Sequence, residues 1–150
     1  IVAEAAGVKF LFDRGSAKLA DGISIEFVDG PEGGGFQIDN PNAPASVKPL
    51  SAAELAVKLK AGEALRLYDV RTDQERAIAS IAGARPLDAA AQAELESLPK
   101  DTVLVFHCHH GMRSQAAADA YVRKGFKKVY NLSGGIDAWS QSVDPKVPRY

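Results

Sequence analysis

The chain has 150 residues, 46% of them hydrophobic and 25% charged, enough apolar material for one domain with a core plus a small appendage. With 18 basic against 19 acidic residues the net charge is −1, which argues against a nucleic-acid-binding surface. No apolar run approaches the roughly 20 residues of a membrane span, and a single cysteine precludes an internal disulfide and fits the reducing cytoplasm.

The first residue is Ile1 rather than methionine, so a natural polypeptide extending upstream is expected. Residues 1–45 read as strands and turns. Val8–Phe12 and Ile23–Val28 alternate apolar and polar residues at period two. Asp29–Phe36 is a glycine-rich turn, and Phe36–Pro44 ends in coil broken by proline. This β-rich piece is too small to form a core by itself.

From residue 46 the pattern becomes an alternation of helices and strands. Ser51–Gly62 reads as a helix opened by a Ser51/Glu54 capping box and closed by Gly62. Ala64–Val70 is a strand, and Thr72–Glu75 is a second capping box that opens a short helix. Ala82–Leu87 is a loop entering a short strand, and Asp88–Pro99 is an alanine-rich helix stopped by its proline. Thr102–His107 is a nearly continuous apolar run, as expected of a strand buried on both faces. Arg113–Gly125 is a helix, Lys128–Leu132 a last strand, and Gly134–Ser140 the start of a short helix. The expected fold over 46–150 is α/β, a mostly parallel central sheet with helices on both faces. In such sheets ligands gather at the carboxyl ends of the strands.

Cys108, the one cysteine, stands at the carboxyl end of the most apolar strand, with all three histidines beside it as His107, His109 and His110. Gly111 permits a tight turn whose amides face inward, and a helix begins near Arg113 or Ser114. Such a loop is a nest of N–H donors that favours an anion, and the helix start adds partial positive charge. Both effects favour thiolate over thiol, so Cys108 is expected to be an activated nucleophile. The alternatives are a buried small side chain or a metal ligand. The metal reading lacks the usual ligand spacing, and no metal is assigned. His107 reads as a structural strand-end residue, and Trp139 as helix packing.

With the segments Leu67–Glu75, Ile81–Leu87, Val105–Ser114, Val129–Trp139 and Val147–Tyr150, residues from about 48 to 150 resemble a single rhodanese domain. The resemblance implies a rhodanese-like fold and sulfurtransferase chemistry. Cys108 would take sulfane sulfur from a small donor such as thiosulfate, become a persulfide, and pass the outer sulfur to cyanide or a thiol. By position His109, His110, Gly111, Met112 and Arg113 would form the substrate and anion-binding loop. Asp69 and Arg71 would support the fold around it, and no cofactor is implied. The family often has a histidine before the Ile81–Ala84 segment, where this chain has Ala79 and Ser80. Four residues separate Cys108 from Arg113, one fewer than cysteine-dependent phosphatases use before their phosphate-binding arginine, which disfavours that chemistry. A non-catalytic rhodanese-like module, binding or regulatory, is the alternative.

Residues 7–44 carry a second likeness. They resemble the C-terminal half of an A-type iron–sulfur carrier, through the aspartate after a strand, the Leu19–Gly22 segment and the glycine-rich turn leading to Asn40–Ala43. That family's tail cysteines are missing, so no cluster is expected here. The combination is similar to bacterial glutaredoxin–rhodanese fusions. An upstream glutaredoxin domain or an iron–sulfur or redox protein is therefore an expected partner.

Overall fold

Period-two alternation in the first forty residues produces two antiparallel ribbons. β1 (Val2–Ala5) pairs with β2 (Val8–Leu11), and β3 (Ser24–Gly30) with β4 (Gly33–Asp39). This computed structural model describes residues 1–5, 7–30 and 33–150. Pro31 and Glu32, within the expected glycine-rich turn, lie outside them. The flanking residues continue the ladder to Gly30 opposite Gly33. Between the ribbons lies a helix the sequence reading did not anticipate, α1 (Arg14–Leu19). Asp13 caps it, its Oδ1 accepting from the amides of Gly15 and Ser16, both at 2.8 Å. Packing sets Ile1–Pro44 apart as one compact unit and Ala45–Tyr150 as another. No described side chain of the first unit is buried. Its apolar residues, Phe10, Phe12, Ile23, Ile25, Phe36 and Ile38 among them, surround a space of about 620 Å³.

The second unit is a five-stranded parallel sheet. Its strands are β5 (Lys48–Leu50), β6 (Leu65–Asp69), β7 (Arg85–Pro86), β8 (Val103–His107) and β9 (Lys128–Leu132), in the order β5-β9-β8-β6-β7. Only β5, three residues long, lacks a sequence signal of its own. The helices are α2 (Ala52–Lys60), α3 (Asp73–Ile78), α4 (Ala89–Ser97), α5 (Met112–Arg123) and α6 (Gly135–Ser142). Both anticipated capping boxes are present, Ser51 with Glu54 and Thr72 with Glu75.

Side-chain alternation along the strands sorts the core into two layers. Leu67 and Val105 pack on one face with Leu55 of α2 and Ile136 and Trp139 of α6. Tyr68, Leu104 and Phe106 pack on the other with Leu95 of α4 and Ala118 and Tyr121 of α5. Because both faces of β8 are covered, its sequence is a continuous apolar run. Its central place in the sheet aims the residue after it at the carboxyl edge between β6 and β9.

Candidate active site

The chain leaves β8 at His107, turns through Cys108–Gly111 and enters α5 at Met112. Gly111 makes the turn possible. Its φ is +104°, and an added Cβ would lie 3.4 Å from the Leu132 carbonyl oxygen. The turn brings two donors onto the sulfur of Cys108: the Gly111 amide at 3.1 Å and the Ser114 hydroxyl at 3.3 Å. Burial pushes the Cys108 thiol up, for the residue is only 1% exposed. Hydrogen bonds from the Ser114 side chain and from the amides of Ser114, Gly111 and His110 outweigh that and hold it below its ordinary value. The site thus stabilises a thiolate with backbone dipoles and one hydroxyl.

The carbonyls of the loop are held from the opposite side. The first amides of α6 donate to them, Ile136 to Cys108 at 2.9 Å and Asp137 to His109 at 3.2 Å. With those oxygens turned toward α6, the amides that follow are free to face the sulfur. Such close approach requires glycine at 135, where an added Cβ would stand 2.4 Å from both carbonyl oxygens.

Ser114 is itself oriented. Its hydroxyl lies 2.7 Å from Oδ1 of Asn131, whose Nδ2 donates to the Gly111 carbonyl at 2.9 Å and to Gln115 at 3.0 Å. A hydroxyl has one hydrogen, so Asn131 and the thiolate compete for it. With the thiol protonated, Ser114 donates to Asn131 and can accept from the S–H. With the thiolate formed, it turns toward sulfur.

Asp69 and Arg71 form a buried pair at the end of β6. Arg71 Nη2 meets Asp69 Oδ2 at 2.6 Å, and Nε meets Oδ1 at 2.9 Å. The arginine also bonds the Ala79 carbonyl at 2.8 Å and the Tyr150 hydroxyl at 2.7 Å. Its donors are thus taken up in tying together β6, the end of α3 and residue 150, a supporting arrangement. His107 stands beside Asp69 with Nε2 3.6 Å from Oδ2, too far for a hydrogen bond. Burial holds its imidazole below the usual histidine range, so it is neutral at pH 7 and the contact is no salt bridge.

The rim is built from Glu75, Arg113, Tyr150 and the two loop histidines. Arg113 forms a two-pronged contact with Glu75, Nη1 to Oε2 at 2.9 Å and Nη2 to Oε1 at 2.7 Å. The Arg113 guanidinium holds the Glu75 carboxyl well below the usual carboxylate range. The Tyr150 ring stacks on His109 with centroids 4.2 Å apart, and His109 on His110 at 4.0 Å. Met112 is 84% exposed and is the first residue of α5. Among the loop residues singled out from sequence, Gly111 brings its amide to 3.1 Å from the sulfur.

Ser114, Asn131, Gly135, Glu75 and Tyr150 were not assigned to the site by sequence reasoning. For Ser114 a signal existed, a hydroxyl in the first turn of the helix after the nucleophile. For Glu75 and Tyr150 there was none, since Glu75 meets Arg113 across 38 residues of chain and Tyr150 stacks on His109 from the far end of the domain.

The chain is thus a parallel α/β domain that presents a buried, hydrogen-bonded cysteine at the carboxyl end of its central strand. Residues 51–142 match the model of the Rhodanese-like domain, and the chain belongs to that family. It is 40% identical over 101 residues to YtwF of Bacillus subtilis, a protein named as a sulfurtransferase, a match covering 67% of this chain and 97% of that one. It is 37% identical over 95 residues to thiosulfate sulfurtransferase GlpE of Pseudomonas aeruginosa, covering 63% of this chain and 84% of that one. Among solved structures, a rhodanese-like domain protein from Staphylococcus aureus superposes with a TM-score of 0.56 at 28% identity, over 69% of this chain and 99% of that one.

Proposed function

We propose that the chain is a sulfurtransferase working through a persulfide on Cys108. The thiolate attacks the outer, sulfane sulfur of a donor such as thiosulfate. The donor's S–S bond breaks and its electron pair leaves with sulfite. The outer sulfur of the resulting persulfide is then attacked by cyanide or a thiolate, and the Cys108 thiolate returns. The observation that carries this reading is the pair of donors on sulfur, the Gly111 amide at 3.1 Å and the Ser114 hydroxyl at 3.3 Å. They favour the thiolate that attacks, and an anion again once the cysteine is loaded.

These 150 residues hold no second cysteine, so the persulfide must discharge to an outside acceptor. A small cytoplasmic thiol, a glutaredoxin domain or an iron–sulfur or redox protein would each supply one. After thiosulfate treatment, mass spectrometry should find one added sulfur on the wild type and none on Cys108→Ser. Cyanide should release it as thiocyanate. Sulfur loading of the serine variant would overturn the assignment.

The 1% exposure of Cys108 is the one observation that favours the second reading, a non-catalytic module. That reading requires that no sulfane donor load the wild type and that cyanide yield no thiocyanate.

A further inference from the structure

The charges around the loop bear on which donor it accepts. Arg113 is the cation that a dianionic donor would use, yet both its terminal nitrogens sit on Glu75, at 2.9 and 2.7 Å. Glu75 is fastened from two further sides. Its Oε2 accepts from the Thr72 amide at 3.1 Å and hydroxyl at 3.0 Å, and its Oε1 from the Tyr150 hydroxyl at 3.2 Å. A helix cap and a residue 75 positions away thus hold one carboxylate in place to receive one guanidinium.

The neighbouring arginines are engaged as well. Arg149 Nε meets Asp137 at 2.7 Å, on the residue whose amide holds the His109 carbonyl. Arg71 is committed to Asp69. Burial, then the neighbouring His110, keep the His109 imidazole below the ordinary histidine range, so it adds little charge at pH 7. What remains for an anion in the cradle, besides the His110 ring stacked on His109, is the set of amides and the Ser114 hydroxyl. These suit one negative charge at sulfur and leave a second charge on the donor without a counterion.

We infer that Glu75 is a specificity-determining residue. By occupying both ends of Arg113 it keeps that cation from the sulfur donor and turns the site toward donors with one negative charge rather than two. The inference rests on the sulfur-transfer reading of Cys108.

Two donors separate charge from chemistry. Thiosulfate is a dianion, and methanethiosulfonate is a monoanion of similar size with a methyl in place of one oxygen. In each case the Cys108 thiolate attacks the outer sulfur and the S–S bond breaks. The electron pair leaves with sulfite or with methanesulfinate, the product is the same persulfide, and no oxidant is needed. In Glu75→Gln, Arg113 is released. The ratio of kcat/KM for thiosulfate over methanethiosulfonate should rise about tenfold, the effect of roughly one charge-assisted contact on a rate ratio. In the double variant Glu75→Gln/Arg113→Gln the ratio should fall back to near the wild-type value.

The wild type gives an independent measure that needs no variant to fold. Its kcat/KM for thiosulfate should change less than about twofold between about 20 and 300 mM salt, because Arg113, Arg71 and Arg149, the arginines described around the loop, are each held by a carboxylate. A tenfold or greater decline with salt, or an unmoved donor ratio in a folded Glu75→Gln protein, overturns the role given to Glu75 and leaves sulfur transfer intact. Wild-type protein that accepts sulfur from neither donor overturns both.

Discussion

Phe36 and Phe106 both lie in strands rich in apolar residues and meet opposite fates. Phe36, on β4, is 75% exposed and touches Phe27 edge-on at 5.4 Å. Phe106, on β8, is fully buried between the rings of Tyr68 and Tyr121, at 5.7 and 5.2 Å. The residue type is the same, and what differs is cover. A two-stranded ribbon has no second layer of its own, whereas the parallel sheet has helices on both faces. Only the second arrangement can hold a loop rigidly enough to gather amides around one sulfur atom. Apolar content announces a wish for burial, and architecture decides whether it is granted.

The largest test of that contrast is truncation at the two phenylalanines in the full-length chain. Phe106→Ala should lower the stability of the Ala45–Tyr150 unit by about 3–5 kcal/mol, and Phe36→Ala should change stability by no more than about 0.5 kcal/mol. Urea melts read from tyrosine and tryptophan signals, all of which lie in the Ala45–Tyr150 unit, would measure the first, and far-UV circular dichroism of the whole chain would measure the second. Equal costs at the two sites would break the comparison.

A glycine pair sharpens it. Gly135 and Gly7 both have positive φ, +59° and +79°, but a Cβ at 135 meets two carbonyl oxygens at 2.4 Å and a Cβ at 7 meets nothing within 4 Å. Gly7→Ala should cost only the backbone strain of about 1 kcal/mol. Gly135→Ala should cost about 3 kcal/mol and also abolish sulfur loading, because the loop carbonyls lose their place on α6.

The smallest effect concerns a hydroxyl beside an anion, a contact that occurs in both units. Ser114 faces the buried sulfur of Cys108, and Ser16 faces the exposed carboxylate of Asp13 at 2.7 Å. Removing a donor destabilises the charged form, so each pKa should rise. The pH midpoint for alkylation of Cys108 by iodoacetamide should lie below the ordinary cysteine value in the wild type and move up in Ser114→Ala. Ser16→Ala should move the Asp13 titration, followed by NMR, up by less than Ser114→Ala moves Cys108, since water replaces the lost donor at the exposed site. A Cys108 midpoint unmoved by Ser114→Ala would assign the thiolate to the backbone amides alone.

What could be read from sequence follows the same division between local and distant causes. The capping boxes at Ser51 and Thr72, the buried character of β8 and the Cys108–Gly111 turn were legible because each is written in a few consecutive residues. β5 was not, since three residues become a strand only by pairing with β9. Glu75 was visible as a cap, but its grip on Arg113 was not, because nothing in the four residues of a capping box says what its glutamate meets across the fold. In sequence Arg113 reads equally as a contact for an anionic donor or as the partner of a neighbouring carboxylate, and the structure pairs it with Glu75. Asn131 and Gly135 sit in a segment that looks like a strand and a helix start, and only the third dimension sets them against Gly111 and the Cys108 carbonyl.

The wall around Cys108 also dictates an order of events. The amides that hold the loop carbonyls belong to Ile136 and Asp137, and the ring on His109 belongs to Tyr150. All are synthesised after the cysteine they enclose. A growing chain therefore carries the thiol before it carries the groups that position it. The thiol is enclosed only once those later residues are in place.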